Sequence, residues 1–487
     1  MSTPTPEPPP RRRNRPTLRT LDADAPERHA SWLELFFDLV FVLAVAEVAR
    51  VLAANEDAVG FLKYAALFIP VWWSWIGFTF YADRFESEEP AYRILMFAGM
   101  LAVTGMSLTL GGAFTPAGDA AFIGCYVLVR LVLIALYARS AYYIPLARAF
   151  SLQYPAGLGT SCLLLLVSLL FDAPGRYAWW AVAIAVEFAT PLLNLRAARS
   201  LPIDRSHIPE RFGLFTIIVL GEAVIATATG LAGVQWNFES VATASLGFAM
   251  AAAIWWINFD FVEESALTSP SLLRRFIYIY GHLFIVAGIV ATGVGVEHAI
   301  KETQEAHLHA ATLALVAGGT AVYLGVITVI RLVTGVCRLI WPRVVAIAVL
   351  ASLFYFGQFL PPVAILGIAF LLLGGEVWLE DRLSPDDAED AAASPVLAPC
   401  THAGEMLVFE PNTADGCEEC VRNNYKWVHL RLCLSCGHVG CCDSSKYKHA
   451  TKHFHATEHP IIASLETGES WAWCYVDERF VPLASES

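Results

Sequence analysis

Long apolar stretches separated by short polar loops dominate the first 380 residues of the chain. A helix that spans a bilayer needs roughly 20 mostly apolar residues. About twelve stretches approach that length, so the pattern predicts an all-α polytopic membrane domain of about twelve transmembrane helices. The predicted spans are 33–54, 61–82, 93–113, 119–139, 155–171, 177–196, 212–232, 242–263, 275–296, 308–330, 342–357 and 360–380.

Composition supports a membrane protein. Of the 487 residues, 56% are hydrophobic and only 16% are charged, whereas a soluble domain carries roughly 25% charged residues. The net charge of −13 argues against a nucleic-acid partner, because DNA or RNA binding requires a concentrated basic face. The lipid bilayer is therefore the first partner that the sequence implies.

Arginines recur in every second loop, and the loops between them carry few basic residues. Basic loops stay on the cytosolic side of a membrane, so the pattern predicts that both termini are cytosolic. The basic positions are Arg11, Arg12, Arg13, Arg15, Arg19, Arg139, Arg148, Arg196, Arg199, Arg205, Arg211, Arg274, Arg275, Arg331, Arg338 and Arg343.

Changes in composition divide the chain into four regions. Residues 1–30 are rich in Pro and Arg and are expected to form a disordered basic cytosolic tail. Residues 31–381 form the membrane domain, 382–399 an acidic flexible linker, and 400–487 a small α+β domain rich in Cys and His.

A weak internal repeat runs through the membrane domain. Residues 75–80 (WIGFTF) in the second predicted helix resemble residues 256–261 (WINFDF) in the eighth, and Glu47 and Glu222 occupy the first and seventh helices. Two six-helix halves of the same orientation would explain the order of these matches. Alternatively, Trp and Phe mark the membrane interfaces in both places.

Eight of the eleven cysteines lie at or after Cys400, among histidines at short spacings. Zinc takes thiolate and imidazole ligands in groups of four, and a C-x2-C pair supplies half of a site. The pattern therefore predicts three zinc ions. The twelve candidate ligands are Cys400, His402, Cys417, Cys420, Cys433, Cys436, Cys441, His449, His453, His459, Cys474 and Asp477.

The segments Trp427–Arg431, Cys433–His438, His459–Pro460 and Trp471–Cys474 resemble the UBP-type zinc finger of deubiquitinating enzymes. The resemblance implies three centres, in the third of which Asp477 stands where a cysteine is expected, while Cys442 is a neighbour and not a ligand. The implied ligand sets are Cys417, Cys420, Cys441 and His449; Cys433, Cys436, His453 and His459; and Cys400, His402, Cys474 and Asp477.

UBP-type fingers bind the free C-terminus of ubiquitin, and here the resemblance implies a peptide pocket of Arg431, Trp473 and Tyr475. The segment 442–445 (CDSS) lacks the Arg-Tyr pair expected there, so another free C-terminal peptide is a better candidate than ubiquitin. A purely structural module is the alternative. Closed four-ligand zinc sites do not hydrolyse substrates, and no catalytic residue is predicted.

Seven of the polar side chains inside or at the ends of the predicted spans are candidates for a role in the membrane domain. Because charge within a bilayer is costly, such residues line an ion or proton path, or they pair with Arg93, Arg130 or Arg211 to hold helices together. Glu34 and Glu210 lie near helix starts, where a capping role is expected. The seven residues are Asp38, Glu47, Glu187, Glu222, Asn258, Asp260 and His282.

Residues 34–42 (ELFFDLVFV), 207–214 (HIPERFGL) with 220–222 (LGE), and 280–282 (YGH) resemble the bacterial low-temperature-requirement A family. The resemblance extends over about residues 30–380 and implies a bacterial inner-membrane protein. Two hypotheses follow. The first is an ion or small-solute channel or transporter with a cytosolic zinc module that regulates it or docks a partner. The second is a membrane scaffold or receptor whose buried carboxylates are structural.

Overall fold

A computed structural model describes residues 15–18, 30–55, 57–86, 89–193, 207–260, 271–305, 307–334, 340–383, 400, 402, 404, 406, 410–413, 416–443, 445–466, 471–477 and 479–481. The chain forms two compact units, Met1–Arg382 and Leu383–Ser487. Most of the expected basic tail and the whole of 384–399 in the expected linker lie outside the described residues.

Twelve long helices make up the described part of the first unit, and each of the twelve predicted spans overlaps one of them. Ten are long and apolar enough to cross a membrane; α1, which carries Glu34, Asp38, Glu47 and Arg50, and α6 are the other two. The helices are α1 Trp32–Ala53, α2 Ala58–Arg84, α3 Pro90–Thr109, α4 Asp119–Tyr143, α5 Arg148–Ser168, α6 Gly175–Leu193, α7 His207–Ala232, α8 Phe238–Asp260, α9 Leu272–Lys301, α10 (Ala310–Leu313, a π-helical turn Ala314–Gly318, and Gly319–Thr334), α11 Trp341–Phe356 and α12 Pro362–Leu383. The all-α membrane fold is confirmed.

Part of the N-terminal tail is ordered, which differs from the expectation of disorder over residues 1–30. Strand β1, Thr17–Leu18, pairs antiparallel with β2, Phe85–Glu86, directly after α2. Leu18 packs against the apolar core, and the guanidinium of Arg15 lies 5.5 Å from the centre of the Tyr143 ring. These contacts hold the segment against the membrane domain, which its polar composition did not predict.

The two six-helix halves share an order of packing. In the first half α1 packs on α2 and α3, α3 on α4, and α4 on α5; in the second, α7 packs on α8 and α9, α9 on α10, and α10 on α11. Helix α1 also packs on α7 and α9, which joins the halves. The parallel does not extend to the last pair, because α5 packs closely on α6 whereas α11 and α12 make few contacts. It supports the repeat seen in the sequence over the first five helices of each half.

The second unit is a small α+β domain. An antiparallel five-stranded sheet has the order β4-β3-β5-β6-β7, and two short helices flank it. Its elements are α13 Glu418–Asn423, β3 Leu430–Cys433, β4 Val439–Cys441, α14 His449–Thr457, β5 Ile461–Ser464, β6 Ala472–Cys474 and β7 Arg479–Val481. The core of small and branched side chains, among them Leu432, Val439 and Ile461, is too small to hold the fold alone.

Candidate metal centres and membrane site

The first candidate metal centre joins α13, β4 and α14. Cys417 and Cys420 bracket the start of α13, Cys441 ends β4 and His449 begins α14. The Nδ1 atom of His449 lies 3.1 Å from the Sγ of Cys417, 3.3 Å from that of Cys420 and 3.5 Å from that of Cys441. Zinc bond lengths of about 2.0–2.3 Å give tetrahedral edges of roughly 3.3–3.8 Å, so the four atoms enclose a zinc-sized space.

The second centre is built on a tight turn after β3. Gly437, at φ +79°, donates its N–H to the carbonyl of Cys433, and a Cβ at this position would lie 2.7 Å from Oδ1 of Asn412. The turn therefore requires glycine, and it brings Cys433 and Cys436 to one side. Helix α14 and the following residues add the two histidines, with Cys436 Sγ 3.2 Å from His453 Nε2 and Cys433 Sγ 3.6 Å from His459 Nδ1.

The third centre joins the two ends of the finger. The Nδ1 atom of His402 lies 3.2 Å from Oδ2 of Asp477 and 3.7 Å from Sγ of Cys474. The backbone N–H of Asp477 donates to Cys474 Sγ, which holds the two residues side by side. Cys400 completes the group, whose ligand atoms all lie within 4.8 Å of one another. A carboxylate is an accepted zinc ligand, so Asp477 is placed to replace the expected cysteine.

The chemistry of these side chains fits zinc. Burial raises the pKa of the Cys417 and Cys420 thiols, and raises that of Cys433 to about 11. A bound cation would therefore be needed to hold them as thiolates at neutral pH. Burial, together with His438 and His459, lowers the pKa of His453, which favours the neutral imidazole that zinc requires. Four protein ligands close each centre, so bound zinc would hold the fold together.

Two residues that the sequence did not single out connect the first two centres. The carboxylate of Glu419 accepts a hydrogen bond from His438 Nε2 at 2.8 Å, and its other oxygen lies 3.5 Å from Cys417 Sγ. The His438 ring stacks on that of His453, with centroids 4.1 Å apart. Such contacts orient metal ligands. Neither residue belongs to the spaced Cys and His motifs that predict the ligands, so only the tertiary structure identifies them.

The residues of the expected peptide pocket lie on one face of the sheet. Arg431 pairs with Ser464 of β5, and Trp473 pairs with Ile462 of the same strand. Ile462 and Ser464 are two residues apart and therefore point to the same face of the sheet. The Arg431 guanidinium lies 4.6 Å from the centre of the Trp471 ring and donates to Ser464 Oγ at 3.1 Å. Tyr475 stacks on Phe454 of α14, and burial raises the pKa of its phenol. We call the face formed by Arg431, Trp471, Trp473 and Tyr475 the finger face.

In the membrane unit, Asp38 lies in a buried ionic cluster between α1, α2 and α7. Its Oδ1 atom accepts hydrogen bonds from Arg211 at 2.6 Å and from the Trp75 indole at 2.8 Å. On the neighbouring turn of α1, Glu34 closes a capping box with Ser31 and lies 3.2 Å from His207. The other His207 ring nitrogen lies 3.3 Å from Asp83. The cluster comprises Glu34, Asp38, Trp75, Asp83, His207 and Arg211.

Glu187 is paired in a separate network between α4, α5 and α6. Arg130 contacts both of its oxygens at 3.0 Å, and Tyr126 and Ser161 donate to it at 2.8 and 2.7 Å. The Arg130 side chain is fully buried. This arrangement satisfies both carboxylate oxygens, so it supports the structural interpretation of Glu187 and not a place on a path.

Glu222 lines a cavity of about 570 Å³ between α1, α7 and α9. Arg50 and Glu297 also line it. Glu47 lies outside the cavity lining and pairs with Arg50 at 2.8 Å. The structure therefore separates the three residues expected to form one polar centre: Asp38 belongs to the ionic cluster, Glu222 lines the cavity, and Glu47 reaches it only through Arg50.

The remaining predicted polar residues occupy two different environments. Asn258 and His282 are buried and line one cavity between α7, α8 and α9, together with Glu210. Asp260 is exposed at the C-terminal end of α8, so its carboxylate avoids the cost of burial. Glu210 accepts from the backbone N–H of Ala30 at 3.2 Å, which fixes the start of α1 to α7.

Helices α10, α11 and α12 hold ion pairs that the sequence analysis missed. Arg343 donates to Glu376 at 3.2 Å and contacts Glu380, which also pairs with Arg331. Thus the fourth and sixth helices of each half are joined by an Arg–Glu pair, Arg130–Glu187 in one and Arg331–Glu380 in the other.

Comparison with known proteins finds a separate match for each of the two units of the chain. The sequence matches the bacterial low temperature requirement A protein (LtrA) family over residues 29–376, and the Zn-finger in ubiquitin-hydrolases and other protein over residues 417–485. An uncharacterized protein of Rhizobium meliloti (strain 1021) is 30% identical over 308 residues, which cover 59% of this chain and 74% of that protein.

A protein of Rhodopseudomonas palustris with a solution NMR structure is 51% identical, covering 18% of this chain and 85% of its own, with a TM-score of 0.17. The zinc-finger match begins at Cys417, so Cys400 and His402 of the third centre precede it. From the match over residues 29–376, the chain belongs to the bacterial LtrA membrane-protein family, and it carries a UBP-type zinc finger after the membrane domain.

Proposed function

We propose that the LtrA domain conducts or exchanges a small cation, a proton among the candidates, along the interface of α1 and α7. The observation that supports this is the placement of the Glu222 cavity and the ionic cluster on the same two helices. Arg211 and Glu222 are about three helical turns apart on α7, as are Asp38 and Arg50 on α1. Buried carboxylates in a membrane domain usually face a permeation path.

A short apolar segment separates the two polar regions. Phe41 and Phe215 are buried between them with ring centroids 6.3 Å apart, and Phe215 stacks on Trp75. Trp75 in turn donates to Asp38. An aromatic constriction between two polar sites would act as a gate, because a cation cannot cross it without rearrangement of the rings. The structure would then represent a closed state.

Replacing Glu222 by glutamine is expected to reduce cation flux by about tenfold or more, because a carboxylate stabilises a passing cation far better than an amide does. Flux would be measured in proteoliposomes under proton, sodium and potassium gradients. Glu305→Gln, the same change at a carboxylate with a 54% exposed side chain, is the matched control and should leave flux unchanged. Absence of flux in the wild type under every gradient would refute transport and favour the scaffold hypothesis.

For the finger we propose a docking role, with the finger face as the binding surface for the free C-terminus of a partner protein. Arg431 carries the charge for a terminal carboxylate and lies over the ring of Trp471, and Trp473 and Tyr475 add aromatic side chains to the same face. Three bound zinc ions would stabilise the fold that positions these side chains. The loop charges support a location of the finger in the cytosol of a bacterial cell with its membrane domain in the inner membrane, and in that compartment thiols stay reduced.

Arg431→Ala is expected to weaken binding of free C-terminal peptides by about tenfold, since a charge-assisted hydrogen bond is lost. The full chain in detergent would be tested on an array of peptides that end in a carboxylate or an amide. Arg422→Ala, at an arginine 73% exposed on α13, is the control. Equal binding of amidated peptides, or no binding at all, would leave the finger as a structural module; selective binding of the ubiquitin tail would overturn our preference for another partner.

A further inference from the structure

A second membrane cavity lies between α7, α8 and α9. It measures about 380 Å³, and Glu210, Phe212, Asn258, Tyr278 and His282 contribute to its lining. It shares no lining residue with the Glu222 cavity. This volume is many times the roughly 30 Å³ that one water occupies in the liquid. The cavity is therefore large enough for a small organic molecule.

Asn258 lines this cavity and has an amide oxygen without a hydrogen-bond partner. The residue is only 7% exposed, and its Oδ1 atom is buried and accepts no hydrogen bond from the part of the chain that the structure describes. Buried amide groups almost always have hydrogen-bond partners, because an unmet one costs free energy. A bound ligand that donates hydrogen bonds would supply the partner.

His282 offers a second acceptor. Its Nδ1 atom lies 2.7 Å from the backbone carbonyl of Tyr278. A carbonyl only accepts, so Nδ1 carries the proton and the neutral ring keeps a lone pair on Nε2. The rings of Phe212 and Tyr278 pack against the imidazole, with centroids 4.4 and 4.5 Å away. The ring is thus held in one orientation at the wall of the cavity.

The charge around the cavity favours a cation. Glu210 brings a carboxylate, and neither Lys nor Arg is among the described lining residues. The aromatic rings of Phe212, Phe259 and Tyr278 present electron-rich faces, which attract organic cations. The cavity wall thus offers hydrogen-bond acceptors, a carboxylate and aromatic rings. This combination matches a ligand that has both N–H donors and a positive charge.

We propose that this cavity binds a small primary ammonium cation. Its N–H groups donate to Asn258 Oδ1 and His282 Nε2, and its charge lies against the aromatic rings and the Glu210 carboxylate. The proposal stands apart from transport at the α1–α7 interface, because it concerns different residues and a different cavity.

Methylammonium chloride is the probe, and its binding to the full chain in lipid nanodiscs would be measured by calorimetry at constant ionic strength. Asn258→Ala is expected to weaken binding by about tenfold through loss of one charge-assisted hydrogen bond. Asn258→Asp, nearly identical in shape, should tighten it by adding a negative charge. Asn55→Asp, the same change at an exposed site, should have no effect.

Three results would overturn the proposal. They are failure of the wild type to bind methylammonium, equal affinity for tetramethylammonium, which has no N–H donor, and weaker binding by Asn258→Asp. Thermal unfolding without ligand, followed by tryptophan fluorescence, reports whether each variant folds. If Asn258→Ala does not fold, the tighter binding expected for Asn258→Asp, compared with unchanged binding for Asn55→Asp, still tests the proposal.

Discussion

Replacing Cys441 by serine is expected to lower the zinc content of the full chain below three ions and to unfold the finger. Cys441 is fully buried and its Sγ atom lies 3.5 Å from His449 Nδ1 and 3.9 Å from Cys420 Sγ. A structural zinc ion in a small finger contributes roughly 10–16 kcal/mol of apparent binding free energy at pH 7. Loss of one ligand therefore removes most of the folding energy of a domain whose apolar core is small.

The chain itself offers a matched control for this change. Cys442 is the next residue, is 5% exposed, contacts Ser445 Oγ, and belongs to none of the three candidate ligand groups. Cys442→Ser should keep the full zinc content and the protease resistance of the finger. Elemental analysis and limited proteolysis of the purified protein would measure both properties. The zinc hypothesis fails if both variants behave alike, and a wild-type content of two ions would mean that Asp477 does not complete a centre.

The candidate zinc ligands could be predicted from the sequence because each C-x2-C pair is local. Each C-x2-C pair places both of its sulfur atoms at one site whatever the rest of the fold does. His449 and His453, four residues apart on one helix, project to the same side of it, although they belong to two different centres. The structure brings together the same three groups of four. The contacts of Glu419 with His438 and Cys417 depend on how α13 meets β4, and no spacing in the sequence encodes that.

The membrane helices were predictable for a similar reason, because the length of each apolar run can be counted directly in the sequence. The pairing of polar residues between helices was not. Asp38 and Arg211 are 173 residues apart, and Arg130 and Glu187 are 57 apart. The sequence named both arginines as candidate partners but could not choose between pairing and permeation for their carboxylates. Helix packing, which decides that choice, depends on many weak contacts across the whole unit.

Arg130→Met is expected to destabilise the membrane domain by about 3–5 kcal/mol, because it leaves the Glu187 carboxylate buried without its cation. Tyr126 and Ser161 would still donate to that carboxylate, but neutral hydrogen bonds do not balance its charge in an apolar surrounding. The free energy of unfolding would be measured by SDS titration in mixed micelles, with tryptophan fluorescence as the signal.

A double variant separates the charge effect from loss of packing. Arg130→Met combined with Glu187→Leu removes both charges and should recover most of the lost stability, because apolar residues of similar volume often replace a buried ion pair without cost. Lys301→Met, which breaks a pair whose lysine is 45% exposed, should cost about 1 kcal/mol or less. A double variant less stable than Arg130→Met would contradict this account. Retained cation flux in the double variant would show that Glu187 holds helices together and is not on the permeation path.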